Sequence, residues 1–166
     1  MTVFVSIKQN KNSDILSQWK EISSFIVSSF QKAEFNKGYN LKIVHAEIFK
    51  NISSKGQNLH ITAHNDEQEI IGAIFTIPSS NKMKIEACDI GWFVTSACLS
   101  PRYKLVVCDM MINNLYQMLI EAGFKKVITE MGTKNGEKLF SKRYGYTRIE
   151  ANKNNWVKHL YPLGDG

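Results

Sequence analysis

Val3, Val5 and Ile7 alternate with polar neighbours, the period-two pattern of a strand with one face on a core. Further on the period lengthens. Ile15, Trp19, Ile22, Ile26 and Phe30 recur at helical spacing behind Asn12-Ser13-Asp14, which carries capping chemistry, and predict one helix over about 14–31. Asn40 is placed to cap a second helix with Leu41, Val44 and Ile48 on one face, ending before Lys55 and Gly56. Two strand-like runs follow, 58–64 and 69–77, joined by Asn65, Asp66, Glu67 and Gln68; they read as an antiparallel hairpin. Ser79, Ser80 and Asn81 then make a turn into a longer strand over 83–94. Its end, Ile90-Gly-Trp-Phe-Val94, is apolar enough to be buried on both faces.

A loop over 95–102 leads into the longest helix of the second half. Val107, Met111, Leu115, Met118, Leu119 and Ala122 form its stripe, and Gly123 is placed as the residue that stops it. Lys126 to Met131 is a short strand. Asn135 is expected to cap a short helix running to Lys142 and closed by Gly145, and strand-like pieces near 146–150 and 155–160 finish the chain. A hairpin feeding a strand–helix–strand crossover predicts an α/β (α+β) fold: a mixed, mostly antiparallel twisted sheet with helices on both faces. Length adds one constraint: 166 residues suit a single domain over 1–166.

Composition excludes several classes of protein. Apolar residues make up 43% and aromatics 11%, a globular balance that rules out a disordered chain, a collagen and a simple coiled coil. Lys plus Arg minus Asp plus Glu is 21 − 15 = +6, which favours an anionic ligand over a cationic one. No run approaches the ~20 apolar residues of a membrane span. The first residues lack the basic segment of a signal peptide, and Cys88, Cys98 and Cys108 are an odd set without C-x-x-C spacing. A cytoplasmic protein with reduced thiols is expected. His60 and His64 fall on a strand, where four residues span ~13 Å, so no metal site is expected. The lysines are dispersed without interleaved aromatics, which disfavours nucleic acid. No heptad or apolar stripe codes an oligomer, although one is permitted.

The richest region for chemistry is the strand–loop–helix junction from Ile90 to Met111, where a helix N-terminus flanked by Arg102 and Lys104 favours a phosphate. Ile90-Gly-Trp-Phe-Val-Thr95, Pro101-Arg102, the Met- and Leu-rich helix, Gly123-Phe-Lys-Lys-Val127 and Leu139-Phe-Ser-Lys-Arg-Tyr-Gly-Tyr146 together resemble the GNAT superfamily of N-acetyltransferases. The likeness in element order covers about 57–150. Its most specific parts are the GWFV strand and the LFSKRYGY segment, which is similar to the family's LYEKLGF.

The resemblance implies that acetyl-CoA, or another acyl-CoA, lies in a V-shaped gap between the strand ending near Val94 and the strand at 126–131, without a metal. Phe93, Val94, Arg102, Tyr103, Lys104, Leu105, Val106, Val107 and Asn135 are its implied cofactor-binding residues. The acceptor would be a primary amine on a small molecule or peptide, attacking the thioester directly while a backbone N–H near Val94 polarises the carbonyl. Glu130 is the favoured base, ahead of Glu86 and Asp89; Tyr144 or Ser141 is the candidate acid. Lys134, Lys138 and Lys142 form a cationic helix face suited to the 3′-phosphate of CoA. Two departures stand out: Tyr103, Leu105 and Val107 occupy positions where the family has glycines, and Ser141 stands where it has a tyrosine. Two alternatives therefore stay open, a catalytically inactive binding module and an acyltransferase whose donor is an acyl carrier protein.

Overall fold

The computed structural model describes residues 4–31, 40–54, 58–77, 87–130, 133–149 and 155–160. The remainder of the 83–94 strand, including Glu86, lies outside them, as do Val3, the 79–81 turn and Met131.

Strands β1 (Ser6–Asn10), β2 (His60–His64), β3 (Ile70–Ile77), β4 (Ala87–Thr95), β5 (Lys126–Glu130), β6 (Thr147–Arg148) and β7 (Asn155–His159) form one sheet. Their order is β1-β2-β3-β4-β5-β7-β6. The β2–β3 hairpin is antiparallel as expected, and β4–β5 is the parallel pair in an otherwise antiparallel ladder. The crossover between them is α4 (Pro101–Glu121). It lies on one face, where Met111, Leu115 and Leu119 are buried with Ile61, Ile74 and Val127. Helices α1 (Asn12–Ser17), α2 (Trp19–Phe30) and α3 (Leu41–Ile52) cover the other face, where Ile15, Ile22, Ile26 and Ile48 pack on Ala73, Phe75 and Val94. Fully burying one such side chain contributes about 1.5–3 kcal/mol, so the two apolar layers hold the helices on the sheet.

The single helix expected over 14–31 is two. Gln18, at φ −112° and ψ 19°, breaks it between α1 and α2. The apolar spacing runs straight across that break, so periodicity alone does not see it. The helix also starts earlier: the Asp14 carboxylate accepts from the backbone N–H of Lys11 at 2.8 Å, and Asn12, expected in the cap, is a buried helical residue. Asn40 caps α3 as expected, accepting from the N–H of Ile43 at 3.0 Å, and Gly123 follows α4 at φ +91°. The last helix, α5 (Lys134–Lys138), is capped by Thr133 rather than Asn135; its hydroxyl accepts from Gly136 N–H at 3.0 Å. It continues as a π-helical turn, Leu139–Arg143. β6 is shorter than the expected 146–150.

Gly72 sets how closely α4 approaches the sheet. A Cβ there would stand 2.8 Å from Met111 Sδ and 3.0 Å from Val107 Cγ1, both fully buried side chains with no route outward. Gly72→Val is expected to destabilise the fold by about 1–3 kcal/mol through overpacking. The urea unfolding midpoint measures this, and an unchanged midpoint would contradict the packing described.

Candidate active site

The site begins with a strand that loses its neighbour. β4 and β5 pair from Ala87 opposite Lys126 to Ile90 opposite Thr129. β4 then runs on to Thr95 with β3 alone beside it, pairing Ala73 with Val94 and Gly72 with Thr95. Beyond Ile90 the sheet is split, and the expected V-shaped gap is the result.

A bulge marks the point of divergence. Phe75 faces Trp92 and Thr76 faces Ile90, which leaves Gly91 as an extra residue in β4. The extra residue reverses the alternation: Ile90 packs in the α4 layer, whereas Trp92 packs with the α1–α3 layer. A Cβ on Gly91 would fall 2.8 Å from Ile77 Cγ2, so the bulge as built accepts only glycine without displacement. The Ile90–Val94 segment was expected to be buried on both faces. Instead Gly91, Trp92 and Phe93 are half-buried, because the sheet edge that would cover them has turned away.

Strand geometry also assigns the backbone. Ser96 N–H donates to Ile71 O at 2.9 Å. Since successive groups along an antiparallel strand point to opposite edges, Val94 turns its N–H and C=O toward β3, while Phe93 and Thr95 turn theirs into the gap.

The gap opens into a groove of about 1050 Å³ that passes from one face of the sheet to the other. Lys104 and Leu105 of α4 wall it on one side, with Lys134, Asn135 and Lys138 of α5. Glu130 stands at the end of β5, and Ser29, Phe30, Val44, Glu47, Ile77 and Trp92 line the α2–α3 side. The cationic side is the one expected to hold phosphates. Lys134 and Lys138 of the predicted stripe reach it, and Lys142 does not.

Of the implied cofactor residues, Phe93, Val94, Lys104, Leu105 and Asn135 line the groove. The stretch 102–107 is not a loop: it forms the first turns of α4, and helical periodicity sends its side chains in different directions. Val107 is fully buried beneath the helix. Tyr103 sends its hydroxyl to Phe4 O at 2.9 Å, and Arg102 and Val106 are outside the groove lining. The start of α4 is closed by its own cap. Ser100 Oγ accepts from Tyr103 N–H at 3.3 Å, Ser100 O accepts from Lys104 N–H at 2.8 Å, and Pro101 has no N–H to offer. A phosphate at this end would meet lysine side chains more than backbone.

The candidate acids are held elsewhere. Tyr144 is buried, its hydroxyl donates to Asp109 Oδ1 at 2.9 Å, and burial together with that bond holds the phenol well above its usual range. Arg143 makes a two-pronged pair with the same carboxylate at 2.8 and 2.5 Å, which holds Asp109 below the usual carboxylate range. Ser141 donates to Glu137 O at 2.6 Å within its own helix. Neither lines the groove; Phe140 does. That ring stands edge-on to Phe93, Tyr144 and Tyr146 with centroids 5.3, 5.6 and 5.0 Å away, so the LFSKRYGY segment clamps the end of the chain to α4 and β4. Glu130 is exposed, lines the groove and has no ion-pair partner among the described residues. Asp89 lies in the paired part of β4, opposite Ile128 and outside the groove lining.

Ser29, Phe30, Glu47 and Trp92 are among the lining residues that escaped the sequence. On a helix or strand read alone, each is indistinguishable from an ordinary surface or core residue. Among the described residues, no group of three or more His, Cys, Asp or Glu side chains is arranged for a metal, and no helix is long and apolar enough to cross a membrane. His60 and His64 instead bond to Asn12 and Thr62.

No family model and no curated protein sequence matches this chain. Solved structures do match its fold. A GNAT family acetyltransferase from Brucella melitensis, in complex with acetyl-CoA, superposes with TM-score 0.69 at 13% identity, covering 97% of this chain and 91% of its own. The YhbS GNAT family N-acetyltransferase from Escherichia coli, in complex with CoA, gives 0.68 at 14% identity over 97% and 84%. The C-terminal condensation domain of Ebony, in complex with β-alanyl-dopamine, gives 0.69 at 12% identity over 95% and 100%. The fold is that of the GNAT acetyltransferases.

Proposed function

We propose that this protein is an N-acyltransferase that moves an acetyl or other acyl group from acyl-CoA to a primary amine. The observation that carries this function is the divergence of β4 from β5 at Ile90, with an open groove and lysines on one side of it. An inactive binding module would be expected to fill that space, whereas Leu105 remains 39% exposed at its wall and Val107 turns into the core.

The pantetheine arm lies along the unpaired edge of β4, bonded to the backbone of Phe93 and Thr95, with Lys104, Lys134 and Lys138 meeting the phosphates. The acceptor enters from the α2–α3 side. Once its ammonium has given one proton to bulk water, its nitrogen lone pair forms a bond to the thioester carbonyl carbon, and the oxygen, as it gains charge, accepts from a β4 N–H. The C–S bond then breaks, sulfur leaves with the bonding pair, and Glu130 takes the proton from nitrogen. A thiol of pKa ~8.5 leaves readily as thiolate and is protonated by water in the open groove, so neither Tyr144 nor Ser141 is required as acid.

Melting in the presence of acetyl-CoA tests the donor. At a hundredfold excess over its dissociation constant it should add about 2.7 kcal/mol, a rise of roughly 5–10 °C for a chain of this size. An unmoved transition counts against acyl-CoA as donor. The capped start of α4 favours one second reading, a donor presented by an acyl carrier protein, whose phosphopantetheine has no adenosine diphosphate to be gripped. Faster transfer from the acylated carrier than from acyl-CoA would select it.

A further inference from the structure

The two ends of the groove differ in charge and in polarity. Among the described residues, every lysine in its lining belongs to α4 or α5, whereas the α2–α3 end carries a carboxylate, Glu47, and no cation. Phe30, Val44, Ile77 and Trp92 make most of the remaining wall there. Ser29 Oγ is buried in this wall and has no hydrogen-bond partner among the described residues. Its neighbour Ser28 already occupies Phe25 O, the carbonyl one helical turn back from Ser29, at 3.1 Å.

We infer that the acceptor is a monoamine with an apolar, planar body, its ammonium drawn in by Glu47 and Glu130 and its body laid against Phe30 and Trp92. This inference rests on the acyltransferase function proposed above. The chemistry of the walls sets the choice. A polyhydroxylated amino sugar would bury hydroxyls against aliphatic and aromatic carbon, at a cost of a few kcal/mol for each unmatched group. A diamine would present a second ammonium to the same apolar wall. An aryl-alkylamine pairs one cation with the carboxylates, covers the rings with its own ring, and leaves Ser29 as a donor or acceptor for one ring substituent.

The test is steady-state acetylation by the full chain, with acetyl-CoA as donor and 2-phenylethylamine, 1,4-diaminobutane or glucosamine as acceptor. The aryl-alkylamine is expected to show a kcat/KM at least about tenfold above the other two. Glu47→Gln is expected to raise its KM by about tenfold or more with kcat little changed, since the carboxylate binds the cation without entering the chemistry. Preference for the diamine or the amino sugar, an unchanged KM in Glu47→Gln, or no acetylation of any of the three overturns the inference. The melting shift with acetyl-CoA, measured on the same samples, separates the two levels. If it is present, only the acceptor class falls; if it is absent, the acyl-CoA-dependent function falls with it.

Discussion

Glu130→Gln is expected to lower kcat by about 10²- to 10⁴-fold, the usual contribution of a positioned general base. The residue terminates β5 where the sheet splits, and it is exposed, so the amide should fold as the wild type does. Two readouts separate a catalytic from a structural effect. The urea midpoint should not move, and the loss should fall on kcat with the KM for acetyl-CoA little changed. Full activity in the glutamine variant would remove Glu130 from the mechanism and leave water as the proton acceptor.

The second large effect is on stability and follows from His60, a fully buried side chain. Its Nδ1 accepts from the backbone N–H of Thr76 at 3.2 Å, so the ring proton sits on Nε2, 2.6 Å from Asn12 Oδ1. Burial lowers the pKa from 6.5 to about 4, and a proton on Nδ1 would face a donor. The unfolded chain therefore binds this proton at higher pH than the folded one. The stability that His60 holds is complete above about pH 6.5 and is lost as pH falls toward 4, to the extent of about 3 kcal/mol. His64, its pKa also lowered mainly by burial, acts in the same direction. Urea unfolding from pH 7 to pH 4 measures the slope. His60→Gln should flatten most of it, and an equal slope in that variant would place the acid sensitivity elsewhere.

Much of the architecture was written locally. The two strand-like runs of β2 and β3 with the polar residues between them, the stripe from Val107 to Leu119, Asn40 at one helix start and Gly123 after another need only neighbouring residues to act, and each expectation drawn from them held. Thr133 displaced Asn135 as cap because both residue types can cap, and spacing alone does not choose between two such residues two positions apart. At the site, Glu130, Lys104, Lys134 and Asn135 reached the groove that their order along the chain suggested. Tyr144 did not, because Asp109, far away in sequence, holds its hydroxyl.

By itself, then, the chain determined its periods, its caps, its surplus of positive charge and the identity of the side chains available for chemistry. Only the tertiary structure decided that Gly91 would bulge, that β5 would part from β4 at Ile90, and that helices on opposite faces would give the opening a cationic end and an apolar, acidic one. The physical reason is range. A period or a cap is settled by groups within a few residues of each other, whereas a gap between strands depends on pairing that stops, and its walls are assembled from segments that meet only in the folded sheet.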